Sequence, residues 1–203
     1  MDRLIDGYGR FRSDRWPIER ERFERLASGQ KPHTLVIACS DSCVDPSMIF
    51  GAAPGELFVV RNVANLVPPY TPGAVCHATS AALEFGVRAL QVEHIIVLGH
   101  AQCGGARALL EGTPPSLSDF VEQWLKIGEP ARLRALACPH GQDRQQACEH
   151  EIVRLSLDNL MSFRWIREAV DAGRLSLHGC YFGIATGALL VLGPDGRFAP
   201  VLI

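Results

Sequence analysis

Two short stretches of the chain carry residues able to hold a metal ion. Leu35-Val-Ile-Ala-Cys-Ser-Asp-Ser-Cys-Val-Asp45 is an apolar run that stops at Cys39 and passes into a polar turn bearing Asp41 and Cys43. His100 stands sixty-one residues after Cys39, in Ile95-Ile-Val-Leu-Gly-His-Ala-Gln-Cys-Gly-Gly105, and Cys103 follows three residues later. Two thiolates and one imidazole are a donor set that Zn²⁺ favours, and three protein ligands leave a fourth position open, as a catalytic zinc requires. Each run reads as a buried strand that delivers its ligands where the strand stops. Cys39 and His100 can therefore both project into the crevice beyond the carboxyl edge of a parallel sheet. Cys103 opens a helix, where free N–H groups and positive partial charge favour a thiolate. Gly99, Gly104 and Gly105 let the backbone turn tightly around an ion. A phosphate-loop reading of Gly99–Gly105 fails for want of the Lys-Ser/Thr pair. His-x-x-Cys alone is a weak signal, and strand-terminal Cys39 is what sharpens it.

Cys39-x-Asp41 paired with His100-x-x-Cys103-Gly-Gly resembles the signature of the β-class carbonic anhydrases, in their bacterial and plant branch. Further matching segments are Pro54–Asn65, Leu66–Tyr70, Val92–His100, Ser156–Leu160 and Leu177–Gly179, so the likeness spans nearly the whole chain. The resemblance implies an α/β fold with a mostly parallel central sheet of four to five strands flanked by helices. It implies zinc on Cys39, His100 and Cys103, and reversible hydration of CO₂ to bicarbonate, a lyase (carbonate dehydratase) activity. It gives Asp41 a catalytic role. It also places Gln30, Phe58, Val63, Phe85 and Gly104 around the substrate, Gln30 as a polar contact and Phe58 and Val63 as apolar wall. Phe85 stands where that branch often has Tyr. Part of this wall belongs to a partner subunit in the family, so a homodimer, or a tetramer or larger assembly, is implied. Another branch has an allosteric bicarbonate site with a Trp three residues before the first zinc cysteine. Val36 occupies that position here, so that site is not expected, although Arg61 is present.

One position departs from the family pattern. The family motif reads Cys-x-Asp-x-Arg, and this chain has Cys43 in place of the Arg. A thiol cannot form the charge-assisted bidentate pair by which Arg holds the Asp carboxylate. Asp41 is then expected to become a fourth metal ligand for much of the time, lowering activity. Two alternatives stand beside CO₂ hydration. One is a carbonyl sulfide or carbon disulfide hydrolase using the same ligands. The other is a non-catalytic zinc protein closed by Asp41 or by Cys43, since Cys39-x-x-x-Cys43 with His100-x-x-Cys103 makes a structural Cys₃His set.

The elements that must position these residues are readable from periodicity. Thr34–Cys39, Glu56–Val60 and His94–Leu98 are apolar without alternation, as strands buried on both faces are. Leu175–Tyr181 and Ala188–Leu192 read as later strands. Ala74–Gln91, a stretch from Gly104, Ser116–Ile127 and Gln142–Met161 read as helices. Residues 1–30 read as an N-terminal arm of two short helices broken near Pro17, whose Phe11 and Trp16 need a surface to pack on. The arginines there suit a solvated face with local Glu pairs. A second group, Cys138-Pro-His140 and Cys148-Glu-His150, has no common zinc spacing. Cys76 and Cys180 suit small buried positions, and His33, His77, His94 and His178 suit structural roles.

The chain of 203 residues, 47% hydrophobic, fits one domain over 1–203, with no repeat or linker to divide it. A formal net charge of −2 does not steer it to nucleic acid or to a membrane surface. No apolar run approaches the ~18 residues of a membrane span, and the first residues lack the apolar core of a signal peptide. Seven cysteines, an odd number, suit reduced thiols and metal ligation, and cytoplasm is the expected location.

Overall fold

Thr34–Cys39 (β1) forms a strand in which Leu35, Val36, Ile37 and Ala38 are wholly buried. It pairs in parallel with Leu57–Asn62 (β2) on one side and His94–His100 (β3) on the other. Ser176–Phe182 (β4) continues the parallel part beside β3. Leu189–Leu192 (β5) and Phe198–Pro200 (β6) close that edge in antiparallel fashion. The coordinates are a computed structural model describing residues 1–73, 78–139 and 143–202. Among these the sheet runs β2-β1-β3-β4-β5-β6. The expected α/β class stands, with six strands instead of four to five. The extra strand, β6, has three residues and ends at Pro200, too short to show alternation.

Both faces of the parallel strands are covered, which is why their sequences do not alternate. Leu35, Ile37, Ile95 and Val97 pack on one face with Val153, Leu160 and Phe163. Val36, Ala38, Leu98 and Cys180 gather on the other. A third cluster at the carboxyl edge holds Cys39 and Cys103 with Val44, Ala64, Ala106 and Ile152. The fully buried aliphatic side chains each contribute about 1.5–3 kcal/mol.

The helices are Asp2–Arg10 (α1), Trp16–Ala27 (α2), Pro46–Ile49 (α3), Ala78–Glu84 (α4), Gly104–Glu111 (α5), Val121–Leu125 (α6), Glu129–Leu136 (α7), Arg144–Leu160 (α8) and Arg164–Asp171 (α9). The arm divides into two helices near Pro17, as expected, with Pro17 in the first turn of α2, where its missing N–H costs nothing. A π-helical turn over Phe11–Arg15 joins α1 to α2 and gathers Phe11, Trp16 and Phe23, with ring centroids 5.3–6.2 Å apart. The helix expected over Ser116–Ile127 shortens to α6 with a 3₁₀ turn on either side. Residues 74–77 of the expected Ala74–Gln91 helix lie outside the described residues, as does Gln142 of the expected Gln142–Met161 helix. From Ala78 the chain is helical to Ala89, its last turn π-helical. α7 begins at Glu129-Pro130, a start signal easily taken for a break. Among the described residues, no helix is long and apolar enough to cross a membrane.

Candidate metal centre

β1 ends at Cys39 and β3 at His100, both almost wholly buried, and Cys103 caps the start of α5. The fold brings all three together. The Cys39 and Cys103 sulfurs lie 3.8 Å apart. One donor atom from each of Cys39, Asp41, His100 and Cys103 lies within 4.8 Å of every other, and among the described residues this is the one such group. His100 Nδ1 lies 2.9 Å from the Ala101 carbonyl. A carbonyl only accepts, so Nδ1 carries the proton and Nε2 presents a lone pair. That Nε2 is buried and makes no hydrogen bond. A buried nitrogen without a partner is costly, and it sits among two sulfurs and a carboxylate. The donor set and the orphaned nitrogen both fit a zinc ion.

Close packing of the ligating groups shifts their protons in opposite directions. The Cys39 thiol is driven down to about 4, first by the hydrogen bond from Cys103, then, against the cost of burial, by His100 and the backbone N–H groups of Asp41 and Ala64. Cys103 moves the opposite way, because it keeps the shared proton, is buried and faces the Cys39 charge. Burial acts to lower His100, but the neighbouring Cys39 thiolate, the Ala101 carbonyl and Asp41 together raise it. Metal binding to such a set displaces these protons, so affinity rises with pH.

Several supporting residues escaped the sequence reading. Arg61 Nε donates to the Cys39 carbonyl at 2.9 Å, its Nη2 to the Asp41 carbonyl, and its Nη1 lies 3.5 Å from Asp45 Oδ2. Arg61 thus grips the backbone of the 39–41 loop. Among the described residues no guanidinium pairs with the Asp41 carboxylate, whose Oδ2 lies 3.5 Å from the Gly104 amide and 3.4 Å from His100 Nε2. Cys43 is exposed and outside the donor group. Ala64 (φ 64°) and Asn65 (φ 44°) hold left-handed backbone that ordinary residues rarely adopt, and this turn aims the Ala64 amide at Cys39. Gly105 is required there: a Cβ on it would stand 2.8 Å from Ala64 Cβ and 2.9 Å from Val63 Cγ1. Glu149 was readable in outline, as a charged residue on the face of α8 that also carries Ile152, Val153 and Ser156.

The expected substrate residues are only partly gathered. Gly104 touches Asp41, and Val63 packs against the start of α5. Val63 also lines a groove of about 1030 Å³ with Val59, Phe120, Val121, Trp124 and Ile127. Phe58 and Phe85 pack on each other at a tilt of 32°, centroids 5.9 Å apart, and Phe58 sits level with Leu35 on β1. That level is four residues from the Cys39–Asn62 pair, about 13 Å along a strand. Within one chain they are therefore remote from the metal ligands. Gln30 is exposed between α2 and β1 and makes no hydrogen bond to the donor group.

The second Cys/His group does not assemble among the described residues, and His140 lies outside them. Cys148 is buried with its thiol pushed up to about 12 by burial. His150 packs between Tyr181 and Phe198. Cys180 is buried in the core, while Cys76 and His77 lie outside the described residues.

Comparison with known proteins agrees with this geometry. The family model described as carbonic anhydrase matches residues 34–189. Beta carbonic anhydrase 6, mitochondrial, of Arabidopsis thaliana is 41% identical over 194 residues, covering 93% of this chain. The chain spans 66% of that relative's length. The structure of the β-carbonic anhydrase CcaA superposes with a TM-score of 0.93 at 36% identity, covering 99% of both chains. One of two tetrameric β-carbonic anhydrases from Sordaria macrospora superposes with 0.73 at 30% identity, over 99% of this chain and 95% of that one. The chain belongs to the β-class carbonic anhydrase family.

Proposed function

We propose that this protein catalyses the reversible hydration of CO₂ with zinc held by Cys39, His100 and Cys103, and that Asp41 slows it by competing for the fourth position. The observation that carries this reading is the donor group itself, in which the Asp41 carboxylate stands with the two sulfurs and the imidazole, all within 4.8 Å. Zinc there supplies Lewis-acid activation of water near neutral pH. The Nδ1–H bond to Ala101 fixes the His100 ring and directs Nε2 inward. Arg61 holds the loop carrying Cys39 and Asp41 through two backbone carbonyls. The Asp41 carboxylate can accept a hydrogen bond from water and orient it, or take the place that water needs. The apolar surface around Val63 suits a small neutral substrate such as CO₂, and the released proton passes to buffer.

The working unit is proposed to be at least a dimer. In α1, Leu4, Ile5 and Tyr8 are 59–73% exposed. Burying such a stripe needs a second chain, and the same contact can bring Phe58 and Phe85 to a partner's site.

Metal analysis with stopped-flow CO₂ hydration tests the reading. About one zinc per chain is expected, lost on His100→Ala, together with CO₂ turnover by the parent chain. Absence of retained zinc defeats it. Zinc without turnover, before and after restoring Arg at position 43, favours the closed, non-catalytic reading that the Asp41 position also supports. Turnover of carbonyl sulfide or carbon disulfide in preference to CO₂ favours the hydrolase.

A further inference from the structure

A buried carboxylate behind the metal centre has no part in the chemistry described so far. Glu149, on α8, is 3% exposed. Its Oε1 accepts from the Cys103 amide at 2.9 Å and from Gln145 Nε2 at 2.7 Å, and its Oε2 accepts from the Tyr181 hydroxyl at 2.7 Å. Gln145, one turn earlier on α8, also donates Nε2–H to the Cys103 carbonyl at 3.0 Å. Both the amide and the carbonyl of Cys103 are thus held from one helix face. Asp143 fixes the start of that helix by accepting from the amides of Gln145 and Gln146. Gly99 lets α8 come this close: a Cβ there would stand 2.6 Å from Val153 Cγ2.

Burying a carboxylate costs several kcal/mol unless charge-assisted hydrogen bonds offset it. Here three donors meet it, and among the described residues no basic side chain pairs with it. Cys103 needs such an anchor. It is the residue that turns the chain from the β3 end into α5, directly after Gln102 in left-handed backbone (φ 58°). Its own amide lies ahead of the helix and has no intrahelical acceptor.

We propose that Glu149, with Gln145, is a positioning residue that locks the Cys103 peptide so that its sulfur is set toward zinc before the metal arrives. The inference rests on the zinc reading above. Zinc affinity by chelator competition and the visible spectrum of the Co²⁺-substituted protein test it on the full chain. Glu149→Ala is expected to weaken zinc binding roughly 10- to 100-fold, as loss of a group holding a ligand does, and to alter the sulfur-to-cobalt charge-transfer bands. Glu149→Gln, which keeps an acceptor for the Cys103 amide, is expected to stay within about threefold of the parent with an unchanged spectrum. If Glu149→Ala does not fold, Gln145→Ala removes only the carbonyl contact and the bond to Glu149, and a shifted cobalt spectrum with weaker zinc binding is expected from it. A folded Glu149→Ala or Gln145→Ala variant with parental zinc affinity and cobalt spectrum overturns the inference. So does Glu149→Gln behaving as badly as Glu149→Ala. A parent chain that retains no zinc overturns this inference and the zinc reading together, whereas a zinc-retaining parent with indifferent variants overturns this one alone.

Discussion

The Asp41 carboxylate lies 3.4 Å from Nε2 of His100, the nitrogen left without a hydrogen-bond partner. Nothing cationic holds it elsewhere among the described residues, because Arg61 spends its guanidinium on the Cys39 and Asp41 carbonyls and on Asp45. Cys43, in the place of the family's Arg, is exposed and cannot supply a bidentate partner. Cys43→Arg should draw the carboxylate away and raise CO₂ hydration by about tenfold or more, equivalent to some 1.4 kcal/mol of barrier. Stopped-flow rates for the two proteins between about pH 6 and 9 decide it. Equal rates would show that Arg is dispensable here.

Gly105→Ala should loosen the site from behind. The added methyl meets Ala64 Cβ at 2.8 Å and the Ala64 amide nitrogen at 3.2 Å, in a turn already held in left-handed backbone. Overpacking of this kind costs about 1–3 kcal/mol. A lower denaturation midpoint with reduced zinc retention is expected, because the displaced turn supplies an amide to Cys39. Gly104→Ala is the control, since a Cβ there meets nothing within 4 Å.

His150 gives the stability curve an acid limb. Burial, with the Arg154 charge, lowers it from 6.5 to about 4. As pH falls through that window the unfolded chain takes up the proton first. Stability from neutral His150 is therefore complete above 6.5 and declines down to about 4. His150→Phe keeps an aromatic ring between Tyr181 and Phe198 and removes the unpartnered Nε2. Its stability should fall less steeply over that interval in urea titrations. Parallel curves for variant and parent would remove His150 as the cause.

Charge placed on the arm should separate the subunits. Leu4 is 73% and Ile5 59% exposed in the single chain, so Leu4→Asp with Ile5→Asp should cost the isolated fold no more than about 0.5 kcal/mol. Sedimentation should show the parent assembled and the variant shifted toward monomer. A variant as assembled as the parent would place the interface elsewhere.

The candidate ligand residues and the strands that carry them were legible in the sequence because both are local. An apolar run of strand length declares where it is buried, and the polar residue at its end declares where it stops. Cys39, His100 and Cys103 could therefore be named as candidates, with the family resemblance, before any coordinates, and the fold brings their donor atoms together. The two helices of the arm and their division near Pro17 were legible, but not the π-helical turn that joins them, because that depends on how Phe11, Trp16 and Phe23 pack. The direction of the Asp41 side chain was only inferred from a missing Arg. Its position beside His100, and the use of Arg61 on backbone carbonyls, depend on how residues some twenty to sixty positions apart pack. Tertiary structure alone also set Phe58 and Phe85 near the far end of the sheet, because strand register decides which residues share a level. The clamp of Glu149 and Gln145 on Cys103 belongs to the same class, joining residues forty-two and forty-six positions apart through a close helix–strand contact at Gly99. Chemical type and local period are written residue by residue, whereas which partner a polar group finds is decided only when distant segments are packed together.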